Sequence, residues 1–241
     1  MTNLKPVQKP IAYDSNSVLN PIAPILLVIA GAALLLEALF QLTDRGIIGG
    51  DGALAWRLEA IQNFGFFDGV FEHFRTNGLE AFLSQPKLAL SFITYPFLHW
   101  SIPDALIGAA IFLAFGRMVS LRFSIWATLA LFGAGILVAG LAYGLVSSSG
   151  QPMIGLFEPS CALIGGYCWT EYRFRKFQGE PVWPAFRILI FLAIFNLVAY
   201  LFLQPNDYWV GQLAAFATGF GLSYMLAPGA ARRIIERLRG G

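Results

Sequence analysis

Residues 21–42 carry a single ionisable side chain, Glu37. About 20 mostly apolar residues is the length at which a helix crosses the hydrocarbon core of a bilayer. Five further apolar stretches follow, at residues 103–119, 124–146, 153–169, 183–203 and 208–226. Backbone groups left unpaired in lipid are not tolerated, so each stretch is expected to be helical. The expected fold is all-α: a polytopic membrane protein built as a bundle of six transmembrane helices. Composition agrees, with 57% hydrophobic residues but only 12% charged in a chain of 241. That charge is about half of what a soluble domain carries. It excludes an ordinary cytosolic enzyme and a disordered chain. Two cysteines exclude a disulfide scaffold, and a net charge of +2 gives no sign of a nucleic-acid partner.

The spans divide the chain into a cytoplasmic N-terminal tail at 1–20, a membrane domain at 21–226 and a basic cytoplasmic tail at 227–241. The first span is too long, and too far from residue 1, to read as a cleaved signal. Residues 43–102 form a long first loop. Its pieces 53–64 and 69–75 are expected as short amphipathic helices near the membrane face, and 88–98 is apolar but too short to cross. Orientation follows from the positive charges. Of the 16 Lys and Arg residues, 12 fall on the side shared by the two termini, among them Arg117, Arg122, Arg173, Arg175 and Lys176. The other four (Arg45, Arg57, Arg75 and Lys87) lie in the first loop beside six acids. Both termini are therefore expected in the cytoplasm. In a bacterium the protein would sit in the inner membrane, with the first loop in the periplasm.

Three segments carry a pattern. The first is Thr94-Tyr95-Pro96-Phe97-Leu98-His99-Trp100-Ser101, followed by Phe115-Gly116 at the end of the second span. The second is Pro159-Ser160-Cys161-Ala162-Leu163-Ile164-Gly165-Gly166 on the fourth span. The third, on the sixth, is Trp209-Val210-Gly211-Gln212-Leu213-Ala214-Ala215-Phe216-Ala217-Thr218-Gly219. In this order, on the second, fourth and sixth of six spans, they resemble the rhomboid family of intramembrane serine proteases over about residues 87–226. In that family the fourth span carries Gly-x-Ser-Gly and the sixth His-x-Gly-Gly-Phe-x-x-Gly. The resemblance implies a nucleophile at Ser160, a general base at 212, and a lateral opening between the second and fifth spans that admits a client helix.

At the catalytic positions this chain departs from the family pattern. Gln212 stands where the resemblance places the base histidine, Gly108 where it places an oxyanion-stabilising asparagine, and Asp104 where it places a second histidine. The surroundings of Ser160 are Glu158-Pro159-Ser160-Cys161. A serine hydroxyl is a poor nucleophile until a base takes its proton, and an amide has no useful basicity. Gln212 can hydrogen-bond Ser160 but cannot deprotonate it. General-base catalysis is worth about 10²–10⁴-fold and one oxyanion donor about 10²–10³-fold, and both losses fall on the same step. The family's Trp-Arg pair has only Trp56-Arg57 as a counterpart here, more than thirty residues too early, and the two are not equated.

Other polar residues have simpler expected roles. His73 reads as an exposed loop residue, and His99 as a tie between the loop and the start of a helix. Glu158 reads as lying just outside a helix that begins at Pro159, favoured by the positive end of the helix dipole. Glu37 and Asn196 read as inter-helix hydrogen bonds. Gly165 and Gly166 on the fourth span, with Ala215 and Gly219 on the sixth, predict close backbone approach. Cys161 and Cys168 read as packing, since two cysteines do not make a structural zinc site. No cofactor and no metal are expected. The Arg232–Arg239 stretch reads as an anchor to anionic lipid.

The function expected from these residues is that of a rhomboid-like protein without protease activity, a pseudoprotease embedded in the lipid bilayer and binding a membrane-protein client. The alternative is an active intramembrane serine endopeptidase that uses Ser160 with a partner other than histidine. A small transporter is a weaker third reading, because neither an internal repeat nor a set of midplane charges is visible.

Overall fold

The computed structural model describes residues 22–50, 55–202 and 207–229. Both expected terminal tails, including the Arg232–Arg239 stretch, lie essentially outside the described residues. Nine helices are found among them: α1 Pro24–Asp44, α2 Trp56–Phe64, α3 Asp68–Ser84, α4 Pro86–Thr94, α5 Ile102–Ser120, α6 Ile125–Val146, α7 Phe157–Gln178, α8 Arg187–Phe202 and α9 Tyr208–Leu226. Short 3-10 turns, Tyr95–Phe97 and Trp183–Phe186, precede α5 and α8.

Three of these helices, α1, α5 and α6, are long and apolar enough to cross a membrane. Their outer faces are clad in large apolar side chains: Leu35 is 73% exposed and Trp126 78%. On a soluble protein such a belt would drive aggregation; in a bilayer it faces its solvent. The chain is thus an all-helical integral membrane protein. α7 has 22 residues and α9 has 19, so both are long enough to span, but they are less apolar. The reason is their position. All of Glu158 to Gly166 on α7 is buried against protein, so this stretch needs small residues that let backbones approach rather than bulky ones that meet lipid.

α7 packs against α9, and both pack against α6; α5 covers another side of α7, and α1 packs on α5. The glycines mark the contact lines. A Cβ at Gly219 would run into the Ala162 carbonyl of α7, and one at Gly165 into the Phe216 carbonyl of α9. A Cβ at Gly135 of α6 would lie 2.6 Å from the Pro159 carbonyl. The expected close approach of the fourth and sixth segments is therefore present, with α6 as a third partner. α8 stands apart: among the described residues its one extensive backbone contact is with its own 3-10 turn. Ile188, Leu189 and Leu192 reach the core from it, while Phe191 and Leu201 face outward.

The first loop is more structured than its sequence suggests. The expected short helix at 69–75 is part of the longer α3, which breaks at Gly78, where φ is 62° and a side chain would be strained. His73, expected in a loop, lies on this helix, half-buried against the edge of the Phe74 ring. Phe66 and Met153 exchange backbone hydrogen bonds at 2.8 and 3.2 Å, pinning the loop to the segment that leads into α7. The fourth apolar stretch therefore begins as extended chain, and its helix starts at Phe157 and runs on to Gln178.

Candidate functional site

Ser160 lies in the first turns of α7 and is fully buried. Its Oγ donates to the Leu156 carbonyl one turn back at 2.5 Å. This is the local bond a helical serine makes when no other acceptor faces it. No histidine, carboxylate or amide is hydrogen-bonded to Ser160 among the described residues. The bond from Gln212 that the sequence allows is not made.

Gln212 is buried one turn into α9 and is engaged elsewhere. Its Oε1 accepts from Asn196 Nδ2 of α8 at 2.7 Å, and its Nε2 donates to Glu158 Oε1 of α7 at 3.5 Å. Asn196 thus makes the inter-helix bond expected of it. Glu158 differs from expectation. The helix begins before it, so Glu158 sits in the first turn of α7, 5% exposed. Its carboxylate still gains from the positive pole of the helix, but Oε2 has no partner. Pro159 is accommodated because the first turn has no intrahelical acceptor for the N–H it lacks.

His99 is 1% exposed, and its Nε2 accepts the Leu156 backbone N–H at 3.3 Å. It therefore ties the loop before α5 to the start of α7, a partner on another span than the second, at whose mouth the sequence places it. Accepting at Nε2 requires a neutral ring with its proton on Nδ1. Burial lowers the His99 pKa below its ordinary value, outweighing the pull of Asp104 and Glu37 toward protonation. Gly108 faces the same spot: a Cβ there would lie 3.3 Å from Leu156 Cβ and 3.5 Å from His99 Nε2. An asparagine at 108 would have to displace this contact. Asp104 is used as a cap. Its Oδ2 accepts the Trp100 N–H at 3.0 Å while its own N–H donates to Ser101 Oγ at 3.4 Å, a close relative of the capping box.

Arg57 was not singled out as a partner of anything in the sequence. Its guanidinium reaches Glu37 Oε2 at 2.7 Å and Oε1 at 3.0 Å, Asp44 at 2.9 Å and the His99 carbonyl at 2.9 Å. Burial disfavours its charge, but the bonds to Glu37 and Asp44 win, and its pKa is raised further above the ordinary value. Glu37 is therefore one half of an ion pair with the first loop, and not the simple hydrogen bond expected of it. The only signal for this was an acid in an apolar span, which needs a partner; the sequence did not say which.

Ser160 does not line the cavity found beside Gln212. A cavity of about 260 Å³ lies between α8 and α9, lined by Leu189, Leu192, Phe216 and other apolar side chains, with Asn196 and Gln212 as its polar wall. This cavity is flanked by the fifth and sixth expected spans, whereas the resemblance implies an opening between the second and fifth. Cys161 and Cys168 are buried and free within the core. No cluster of residues suited to a metal occurs among the described residues.

A family model described as the Rhomboid domain matches residues 87–229. No curated protein matches the chain.

Proposed function

The chain belongs to the rhomboid family, and on that premise we propose that it is a pseudoprotease that keeps the intramembrane fold and binds a membrane-protein client in place of cutting one. The observation that carries this reading is the pairing of Gln212. The residue at the family's base position bonds Asn196 and Glu158, while Ser160 turns its hydroxyl to its own helix. A nucleophile without a base, beside a Gly108 that offers no oxyanion donor, lacks two of the three contributions that make acyl transfer fast. Binding needs none of them. The cavity between α8 and α9 supplies a place where a side chain of a client helix lying against these two helices can enter.

In this reading α1, α5, α6, α7, α8 and α9 all span the bilayer, with both termini in the cytoplasm and the first loop in the periplasm of a bacterial host. Charge placement supports it: Arg117, Arg173, Arg175, Lys176 and Arg187 belong to the ends of α5, α7 and α8 away from the first loop in sequence, and Arg122 to the turn between α5 and α6.

The test is chemical. A fluorophosphonate labels a serine that a base has activated, so the purified protein in lipid nanodiscs is expected to stay unlabelled and to leave a generic single-span substrate intact. Labelling that disappears in Ser160→Ala would overturn the pseudoprotease reading in favour of a serine endopeptidase with a non-histidine partner. Binding is tested separately by Ala193→Trp, which fills the cavity from the exposed face of α8. It is expected to weaken capture of single-span helices.

A further inference from the structure

Asn196, Gln212 and Glu158 form a hydrogen-bonded line from the cavity wall into the core. Asn196 Nδ2 donates to Gln212 Oε1 and to the Leu192 carbonyl, at 2.7 and 2.9 Å, which uses both of its protons. Gln212 Nε2 spends one proton on Glu158. Among the described residues this leaves one acceptor, Asn196 Oδ1, and one donor, the second Gln212 N–H, without partners on the residues that line the cavity. Glu158 Oε2, behind them, is also unpartnered. Polar groups held in a membrane interior without partners are costly and mark a place where something else binds.

The cavity, at about 260 Å³, takes one or two side chains; a whole helix, about 10–12 Å across, does not fit. Its occupant is therefore a side chain projecting from a helix that lies against α8 and α9. Leu189, Leu192 and Phe216 suit an apolar stem. The adjacent free acceptor and donor suit a group that both donates and accepts, which is a carboxamide.

We propose that the client is a single membrane-spanning helix bearing a Gln or Asn side chain, which pairs with Asn196 Oδ1 and the Gln212 amide. The inference rests on the client-binding reading and adds to it what the site recognises and at what depth. Gln212 lies four residues from the start of α9 and Asn196 six from the end of α8, or about 6 and 9 Å along the axis. The client's amide therefore belongs in the first two turns of its span, counted from the first-loop face.

The experiment uses the full chain in nanodiscs and synthetic helices of about 22 leucine and alanine residues. Each carries one guest (Gln, Leu or Lys), placed one to two turns from one end or at the centre. Association is read by energy transfer between labels on chain and peptide. The Gln guest near the end is expected to bind about 3- to 30-fold more tightly than the Leu guest, the range that inter-helix hydrogen bonds in membranes support. The gain is expected to vanish with the guest at the centre, and in Asn196→Leu the Gln and Leu guests are expected to bind alike. If Asn196→Leu does not fold, discrimination between guests by the unmodified chain decides the matter. Equal binding of Gln and Leu guests, both weakened by Ala193→Trp, would overturn this inference and leave client binding standing. Preference for Lys would overturn the amide assignment and make Glu158 the recognising group. No binding, or binding indifferent to Ala193→Trp, would sink client binding and this inference together.

Discussion

Arg57, on a helix of the first loop, places its guanidinium on both carboxylate oxygens of Glu37 in α1, at 2.7 and 3.0 Å. The two are 20 residues apart in sequence, and their side chains are 14% and 3% exposed. Two-point pairing of this kind fixes direction as well as distance, so α2 is held at one orientation above the membrane helices. The same guanidinium reaches the His99 carbonyl, coupling α1, the first loop and the segment that starts α5.

Removing one partner of such a pair leaves the other buried and unpaired. Arg57→Leu is expected to destabilise the protein by about 3 kcal/mol, the lower end of the range for breaking a buried pair, because Arg57 keeps some solvent contact. Arg57→Leu combined with Glu37→Leu is expected to recover most of that loss. Thermal unfolding in detergent of the two singles and the double measures it. Additive losses in the double would mean that the residues do not act as a pair.

Gly219 tests the contact between α7 and α9. Gly219→Leu has to find room where a Cβ already meets the Ala162 carbonyl, whereas Gly221, two residues on, has nothing within 4 Å of its Cβ position. Overpacking costs about 1–3 kcal/mol or more, so the unfolding midpoint of Gly219→Leu is expected to drop well below that of Gly221→Leu. Equal midpoints would place position 219 against lipid.

His99 predicts how stability depends on pH. Its folded pKa is lowered by burial, so between that value and about 6.5 the unfolded chain binds the extra proton. Stability then rises with pH across this window and is lost on acidification. Protonation would also give Nε2 a hydrogen, removing its ability to accept the Leu156 N–H. The midpoint of unfolding is expected to fall from pH 7 to pH 5 and to fall less in His99→Gln, whose Oε1 still accepts. An identical pH slope in the variant would assign the effect elsewhere.

Topology is tested with reporter fusions. Fusions after residue 241 and within residues 46–52 are expected to report opposite sides of the membrane. Agreement between them would mean that the chain does not cross six times.

What the sequence determined alone is what depends on local composition. An unbroken apolar run must be a helix in lipid, so α1, α5 and α6 could be drawn within a few residues of their ends, and α9 coincides with its expected stretch at both ends. Small residues spaced four apart, Ala215 and Gly219, announced a helix face made for close approach because only small side chains permit it. The amide at 212 also stated by itself that this side chain is not a base, since basicity is a property of the residue type. Tertiary structure decided everything that depends on partners distant in the chain. Glu37 needed a counter-charge, but only the fold brought Arg57 to it. Gln212 was open to Ser160 on chemistry alone, yet the packing of α7, α8 and α9 gave it to Glu158 and Asn196, 54 and 16 residues away. A polar side chain bonds whichever complementary group the backbone brings within about 3 Å, and that distance is set by how the helices pack.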